Sequence, residues 1–310
     1  MIEARPICAW YHGDMATLYT QADSNVRRTW VLMLTFFIVV IGLGWALSYA
    51  LGNQGILYAA VGLSLVMNVG SYWYSDKLAL ATTGAKPISH DEHRDLWNIV
   101  ENLSIAEGML APKVYVINDP APNAFATGRN EKHGALAVTT GLLAMMERSE
   151  LEGVIAHELS HIKNRDTLVM MVVVVLLGFV TLLSDFFLRS LFYGGGHSDR
   201  DNKLGAVMVV VGVALAVLSP IIAQLIQFAI SRKREFLADA SGALMTRYPE
   251  GLASALTKIG AYAAPMRTAN NATAHLFISN PFGARSLRGV SKLFMTHPPI
   301  EDRVKALLGR

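Results

Sequence analysis

The chain has 310 residues, a formal net charge of +3, and 52% apolar against 16% charged residues. That balance is too apolar for an ordinary water-soluble domain, and the apolar residues come in blocks, so bilayer spans are expected. The small positive excess sits beside those blocks without interleaved aromatic residues, which argues against nucleic acid as a partner.

Residues 1–29 read as an N-terminal cytoplasmic extension holding the single cysteine, Cys8, so no intrachain disulfide can form. Trp30 to Leu51 is an apolar stretch of 22 residues and Ile56 to Trp73 one of 18, which together make a transmembrane hairpin over 30–74. The first stretch exceeds the roughly 7 to 15 apolar residues of a secretory signal core, and a second follows almost at once, so a cleaved leader is disfavoured.

The block 75–167 opens with a helical pattern from His90 to about Met109, with Leu96, Ile99, Val100 and Leu103 on one stripe. Short β-like runs follow at Lys113–Ile117, Asn123–Thr127 and Ala135–Thr140, which suggests a small sheet beside helices. Ser149, three residues before Glu152, reads as a capping box that opens the next helix. That helix carries His157-Glu158-Leu159-Ser160-His161. Positions i and i+4 project from one face, so both imidazoles can reach one metal ion, and the Glu between them can polarise a water. This is the zinc hydrolase arrangement His-Glu-x-x-His, the bland alternative being two surface histidines on an amphipathic helix. His90, His93, His133 and His275 have no ligand-like spacing and read as surface residues.

Leu168 to Phe187 (20 residues) and Leu204 to Ile230 (27 residues) read as a second transmembrane pair within 168–230, with Asp185 as a structural charge near a span end. Arg27, Arg28, Lys77, Lys163, Arg165, Arg232, Lys233 and Arg234 flank the spans on one side, which the positive-inside rule makes the cytoplasm. The last block, 231–310, is mostly helical and ends in a helix Ile300–Leu308 behind Pro298-Pro299.

A catalytic zinc needs a third protein ligand. Glu235 is the candidate, and Asp239, four residues on and so on the same helical face, can orient a ligand imidazole; the alternative is a solvated charged face with Arg232 and Lys233. If the helices run straight out of the membrane, His161 and Glu235 stand about 10 Å and about 8 Å beyond the span ends, at one height. A structural zinc in a membrane scaffold would be closed by four ligands rich in Cys, which one Cys does not supply. The charged sequel Lys163 to Asp166 puts the motif outside the hydrocarbon.

His157 to His161 with its Ile-Lys-Asn-Arg-Asp166 sequel, and Glu235-Phe-Leu-Ala-Asp239 after the second membrane pair, resemble the HtpX family of membrane-bound zinc endopeptidases, relatives of the CAAX prenyl proteases. The stretches Asn123 to Gly128 and Thr296 to Arg303 are similar to other recognisable parts of that family. The resemblance implies a mainly α integral membrane protein, with four transmembrane helices plus a cytoplasmic zincin-like α+β metalloprotease domain containing a small β-sheet. It implies one Zn2+ per chain, held by His157, His161 and Glu235, with Glu158 as general base and Asp239 orienting a ligand. It also implies a multi-pass protein of the bacterial plasma membrane, with the active site and both termini cytoplasmic. Such an enzyme hydrolyses damaged or misfolded membrane proteins and unfolded polypeptides during envelope stress. By the same resemblance His297 donates a hydrogen bond to the oxyanion, or else only fixes the turn before Pro298. Asn123 begins a substrate-facing strand edge to which an extended peptide adds, or else is a turn residue after Pro122. Arg303 reads as a structural ion pair and Asp166 as support for a helix end. The 29 residues before the first span depart from the family pattern.

Overall fold

The computed structural model describes residues 18–173, 175–176, 232–269, 273–283 and 298–309. Cys8, Asp185, the fourth expected span, most of the third, and His297 lie outside the described residues.

Two long helices lead, α1 (Leu18–Leu51) and α2 (Gly55–Thr82), with Gly52 at φ 65° in the turn between them. Within them Gln21–Tyr49 and Gly55–Thr82 are long and apolar enough to cross a membrane. Only 28% and 17% of their most apolar windows are buried, so neither is the core helix of a soluble domain. About 20 residues suffice to cross the hydrocarbon. Helices of 34 and 28 residues overshoot that, which is why α1 begins well before Trp30 and α2 runs past Trp73. The hairpin closes on bare backbone at Gly44, where a Cβ would come 2.3 Å from Ala60 Cβ. Near the other end Trp30 stacks on Tyr72 at 6.1 Å and Arg129 lies 4.2 Å from the Trp73 ring, an aromatic collar suited to a membrane interface.

The remaining described elements build one domain. α3 (Arg94–Glu107) starts four residues later than the expected helix, behind His93 as its N-cap, and Gly108, at φ 66°, ends it. Strands β1 (Lys86–Pro87), β2 (Lys113–Ile117), β3 (Ala124–Thr127) and β4 (Ala135–Thr139) form a sheet in the order β1-β2-β4-β3. β2 runs parallel to β4 and the other pairs are antiparallel. After α4 (Thr140–Met145) comes α5 (Arg148–Lys163), the helix with both histidines. Its capping box is Glu147 with Glu150, not Ser149 with Glu152. Glu150 accepts the Glu147 N–H at 2.8 Å, whereas Glu152 pairs with Arg148 on the surface.

α5 does not run on into the third expected span. Asn164 caps it, Arg165 turns at φ 55°, and a new helix, α6, starts at 166 and is described through 173. α7 (Arg232–Thr246), α8 (Pro249–Ala261, with Pro at its first position) and α9 (Ile300–Leu308) complete the described elements.

α5 lies at the centre of the core. Val154, Ile155, Leu159 and Ile162 pack with Leu96, Ile99, Val100, Leu136, Val138, Leu252 and Leu256. Two glycines set how closely its neighbours approach. A Cβ on Gly153 would meet the Leu252 backbone nitrogen at 2.8 Å, and one on Gly242 would meet that of His157 at 3.0 Å. α7 and α8 therefore sit against α5 at backbone distance, which brings Glu235 within reach of the two histidines.

Candidate metal centre

His157 and His161 project from α5 one turn apart, with ring centroids 4.7 Å apart, and α7 brings Glu235 against them. The two Nε2 atoms are 3.2 Å apart. Glu235 lies 3.8 Å from His157 Nε2 and 3.6 Å from His161 Nε2. Among the described residues this trio, all buried, has donor atoms mutually within 4.8 Å.

The outer ring nitrogens are both engaged. His157 Nδ1 donates to Asp239 at 2.9 Å and His161 Nδ1 donates to Asp166 at 3.0 Å. An ionised carboxylate only accepts, so each ring keeps a proton on Nδ1, and it is the Nε2 atoms that face each other. Two Nε2 atoms and a carboxylate confronting one another away from water need positive charge between them, which a proton on His161 or a metal ion in its place supplies. The donor chemistry, two imidazoles and one carboxylate, suits zinc. With bonds near 2.0–2.1 Å a tetrahedral site spaces its donors about 3.3 Å apart, close to the separations found.

Around the trio the charges are arranged in layers. Arg303, 0% exposed, grips Asp239 through two hydrogen bonds of 2.8 Å and 2.6 Å, and donates to the Ile278 carbonyl at 3.2 Å. Burial alone would raise the Asp239 carboxyl, but the Arg303 guanidinium holds it below its usual range. Asp166 receives Arg234 at 3.5 Å and the Asn25 amide at 2.7 Å. Burial works against the charged form of His161, yet the bond to Asp166 and the carboxylates of Glu235 and Glu158 push its pKa up to about 9. Glu158 is buried on α5 directly after His157. Four buried carboxylates, Glu158, Asp166, Glu235 and Asp239, thus stand against two buried guanidiniums, Arg234 and Arg303. With all four ionised the excess is two negative charges, which a proton on His161 lowers to one and a divalent cation in that proton's place would neutralise.

Asp166 does not merely support a helix end: it holds the outer nitrogen of His161. Its position five residues on, across the break at Arg165, has no helical spacing to reveal it. Asn25 carried no sequence signal at all. His275 is buried, not on the surface, because residues Ala274–Leu276 form a tucked 3-10 turn. Asn123 is also buried. Its amide bonds the main chain of Ser279 in both senses, at 3.0 Å and 3.3 Å, and Ile278 N donates to Ala124 O on the outer edge of β3.

The family model described as Peptidase family M48 matches residues 90–310. A protease HtpX homolog of Caldanaerobacter subterraneus subsp. tengcongensis is 49% identical over 298 residues, covering 94% of this chain and 97% of its own length. A protein of the same description from Thermoanaerobacter pseudethanolicus is 47% identical over 298 residues with the same coverage. Another from Pyrococcus furiosus is 45% identical over 284 residues, covering 90% of this chain and 94% of its own. Among solved structures, the crystal structure of S. mikatae Ste24p gives a TM-score of 0.49 at 16% identity, over 93% of this chain and 67% of that one.

Proposed function

The chain belongs to peptidase family M48 and is a metalloprotease, and from that premise we propose that it is a membrane-bound zinc endopeptidase that cuts damaged or misfolded membrane proteins at the cytoplasmic face of a bacterial plasma membrane. In this scheme two pairs of spans, within 30–74 and 168–230, carry a zincin-like cytoplasmic domain assembled from 75–167 and 231–310, with 1–29 as a cytoplasmic extension. The observation that carries it is the buried His157, His161 and Glu235 trio inside a cluster whose carboxylates outnumber its guanidiniums.

His157 and His161 would hold one zinc through Nε2 and Glu235 through its carboxylate, while Asp239 and Asp166 keep the ring protons on Nδ1. When bound there, zinc supplies a Lewis acid for the scissile carbonyl and makes water more acidic. The Glu158 carboxylate takes the proton of the attacking water and delivers it to the leaving amine. Arg303 keeps Asp239 ionised and aimed at His157, and His297 adds a hydrogen bond to the developing oxyanion. An extended peptide would lie along the outer edge of β3, with Asn123 holding Ser279 at the end of that edge.

The test is zinc content together with casein cleavage for detergent-purified wild type and Glu158→Gln. One zinc in both proteins and cleavage by wild type alone is the expected result. Zinc in both with no cleavage of any unfolded substrate would reduce the centre to a structural site in a membrane scaffold.

A further inference from the structure

We propose that Asn25, on the first membrane helix, is a positioning residue for the metal centre, because it fixes the carboxylate that fixes His161. Asn25 is completely buried near the start of α1. Its side-chain amide donates one proton to Asp166 Oδ1 at 2.7 Å and the other to the Asn164 carbonyl at 2.8 Å. The two acceptors lie on either side of Arg165, where the backbone at φ 55° breaks α5 from α6. One amide thus pins both the end of the histidine helix and the carboxylate whose other oxygen takes the His161 Nδ1 proton at 3.0 Å.

Only a group with two N–H donors in a fixed plane can serve both acceptors at once, and Asn is the shortest side chain that offers them. Without Asn25, the Asp166 oxygen that it binds would keep, among the partners in the described residues, Arg234 at a long 3.5 Å. The carboxylate could then rotate, and the imidazole would lose the partner that sets its tautomer and tilt. Asn25 lies far outside residues 90–310, which the family model spans. A metal centre whose ligands come from α5 and α7 is therefore completed from the membrane hairpin. Below Asn25 on the same helix, Met33 and Phe36 pack on Leu168 and Val172, which docks α1 without touching the site.

The role of Asn25 presupposes that His157, His161 and Glu235 bind zinc. The experiment uses the full chain in detergent as wild type, Asn25→Ala, the isosteric Asn25→Asp, and Phe36→Ala as a packing control. Zinc affinity is read by competition with a chelator, the cobalt-substituted protein by its visible spectrum, and casein cleavage as kcat and KM. Both Asn25 variants should bind zinc about tenfold more weakly, the low end for partners behind a metal ligand. Their cobalt bands should shift, and kcat should fall with KM unchanged. Phe36→Ala should melt earlier yet keep the zinc affinity and cobalt spectrum of wild type. Wild-type affinity and spectrum in both Asn25 variants would overturn the proposal, as would an equal loss in Phe36→Ala. Failure of wild type itself to bind zinc would instead overturn the ligand assignment on which it stands.

Discussion

Replacing Arg303 with Leu should be among the most damaging single changes outside the ligands themselves. The guanidinium is wholly buried and makes two hydrogen bonds, of 2.8 Å and 2.6 Å, to Asp239. Removing it leaves a buried carboxylate with no cation, and breaking such a pair from one side costs about 3–5 kcal/mol. No water reaches Asp239 to replace the lost bonds, so the upper half of that range applies. The carboxyl, which Arg303 holds low against the effect of burial, would rise; once protonated it accepts from His157 Nδ1 only as a neutral, weaker partner. At about 2–4 °C per kcal/mol the melting temperature should fall by on the order of 10 °C. The assay is a thermal melt of chelator-treated protein in detergent, followed by circular dichroism, for Arg303→Leu, Asp239→Leu and the double variant. Because the double variant buries no orphan charge, its loss should fall short of the summed single losses by about 2 kcal/mol or more. A drop of less than about 3 °C for Arg303→Leu, or strictly additive losses, would refute the buried-pair account.

Glu150, at the start of α5, is bonded by Lys258, Ser254 and the Glu147 N–H, which together outweigh burial and hold its carboxyl below the ordinary 4.5. Its contribution is therefore complete above pH 4.5 and lost as pH falls through the lower folded value. Glu150→Gln should cost about 1.5–3 kcal/mol at neutral pH, and the gap in melting temperature from wild type should close as the medium is acidified below the ordinary 4.5; a gap independent of pH would count against the ionised network. Gly153→Ala would place a methyl 2.8 Å from the Leu252 nitrogen, so α8 must shift, and melts should show a loss of about 1–3 kcal/mol. Chelation should lower the melting temperature of wild type and added zinc should restore it, whereas Glu235→Ala should melt alike with and without chelator. Equal zinc-dependent stabilisation of the two proteins would remove Glu235 from the ligand set.

How far the chain could be read depended on whether the deciding contact was local. Lys113–Ile117 and Ile300–Leu308 form as their patterns require, since alternation and a Pro-Pro start act within a few residues. The pair His157 and His161 was visible because one helical turn separates them. Glu235 was reachable only because zinc chemistry demands a third ligand, and the sequence had to be searched for one. The capping box lies two residues before the one expected because Ser149/Glu152 fits the usual Ser/Thr-x-x-Glu pattern, whereas Glu147 is not an ordinary first residue of it. What favours the Glu147/Glu150 box is Lys258, a neighbour 108 positions away. Asn25 and Asp166 were illegible for the same reason: their partners lie across a helix break or 141 residues apart.

The straight-rod picture, in which α5 runs unbroken into the membrane, fails at Arg165, yet the metal donors still meet at one level. What replaces the rod is a polar web. Asn25 of α1, Asp166 of α6 and Arg234 of α7 join three chain segments at one point, close behind His161. Each link is buried, so none can be exchanged for water without cost, and each fixes a direction as a hydrophobic contact would not. A continuous helix would transmit any tilt of a span directly to the ligands. A broken one, clamped by directional bonds, lets α6 and α5 take different angles while the imidazoles keep theirs. The break at Arg165 thus frees the direction of α6 from that of the histidine helix, and the buried asparagine, which bonds on both sides of Arg165, is what makes the break tolerable.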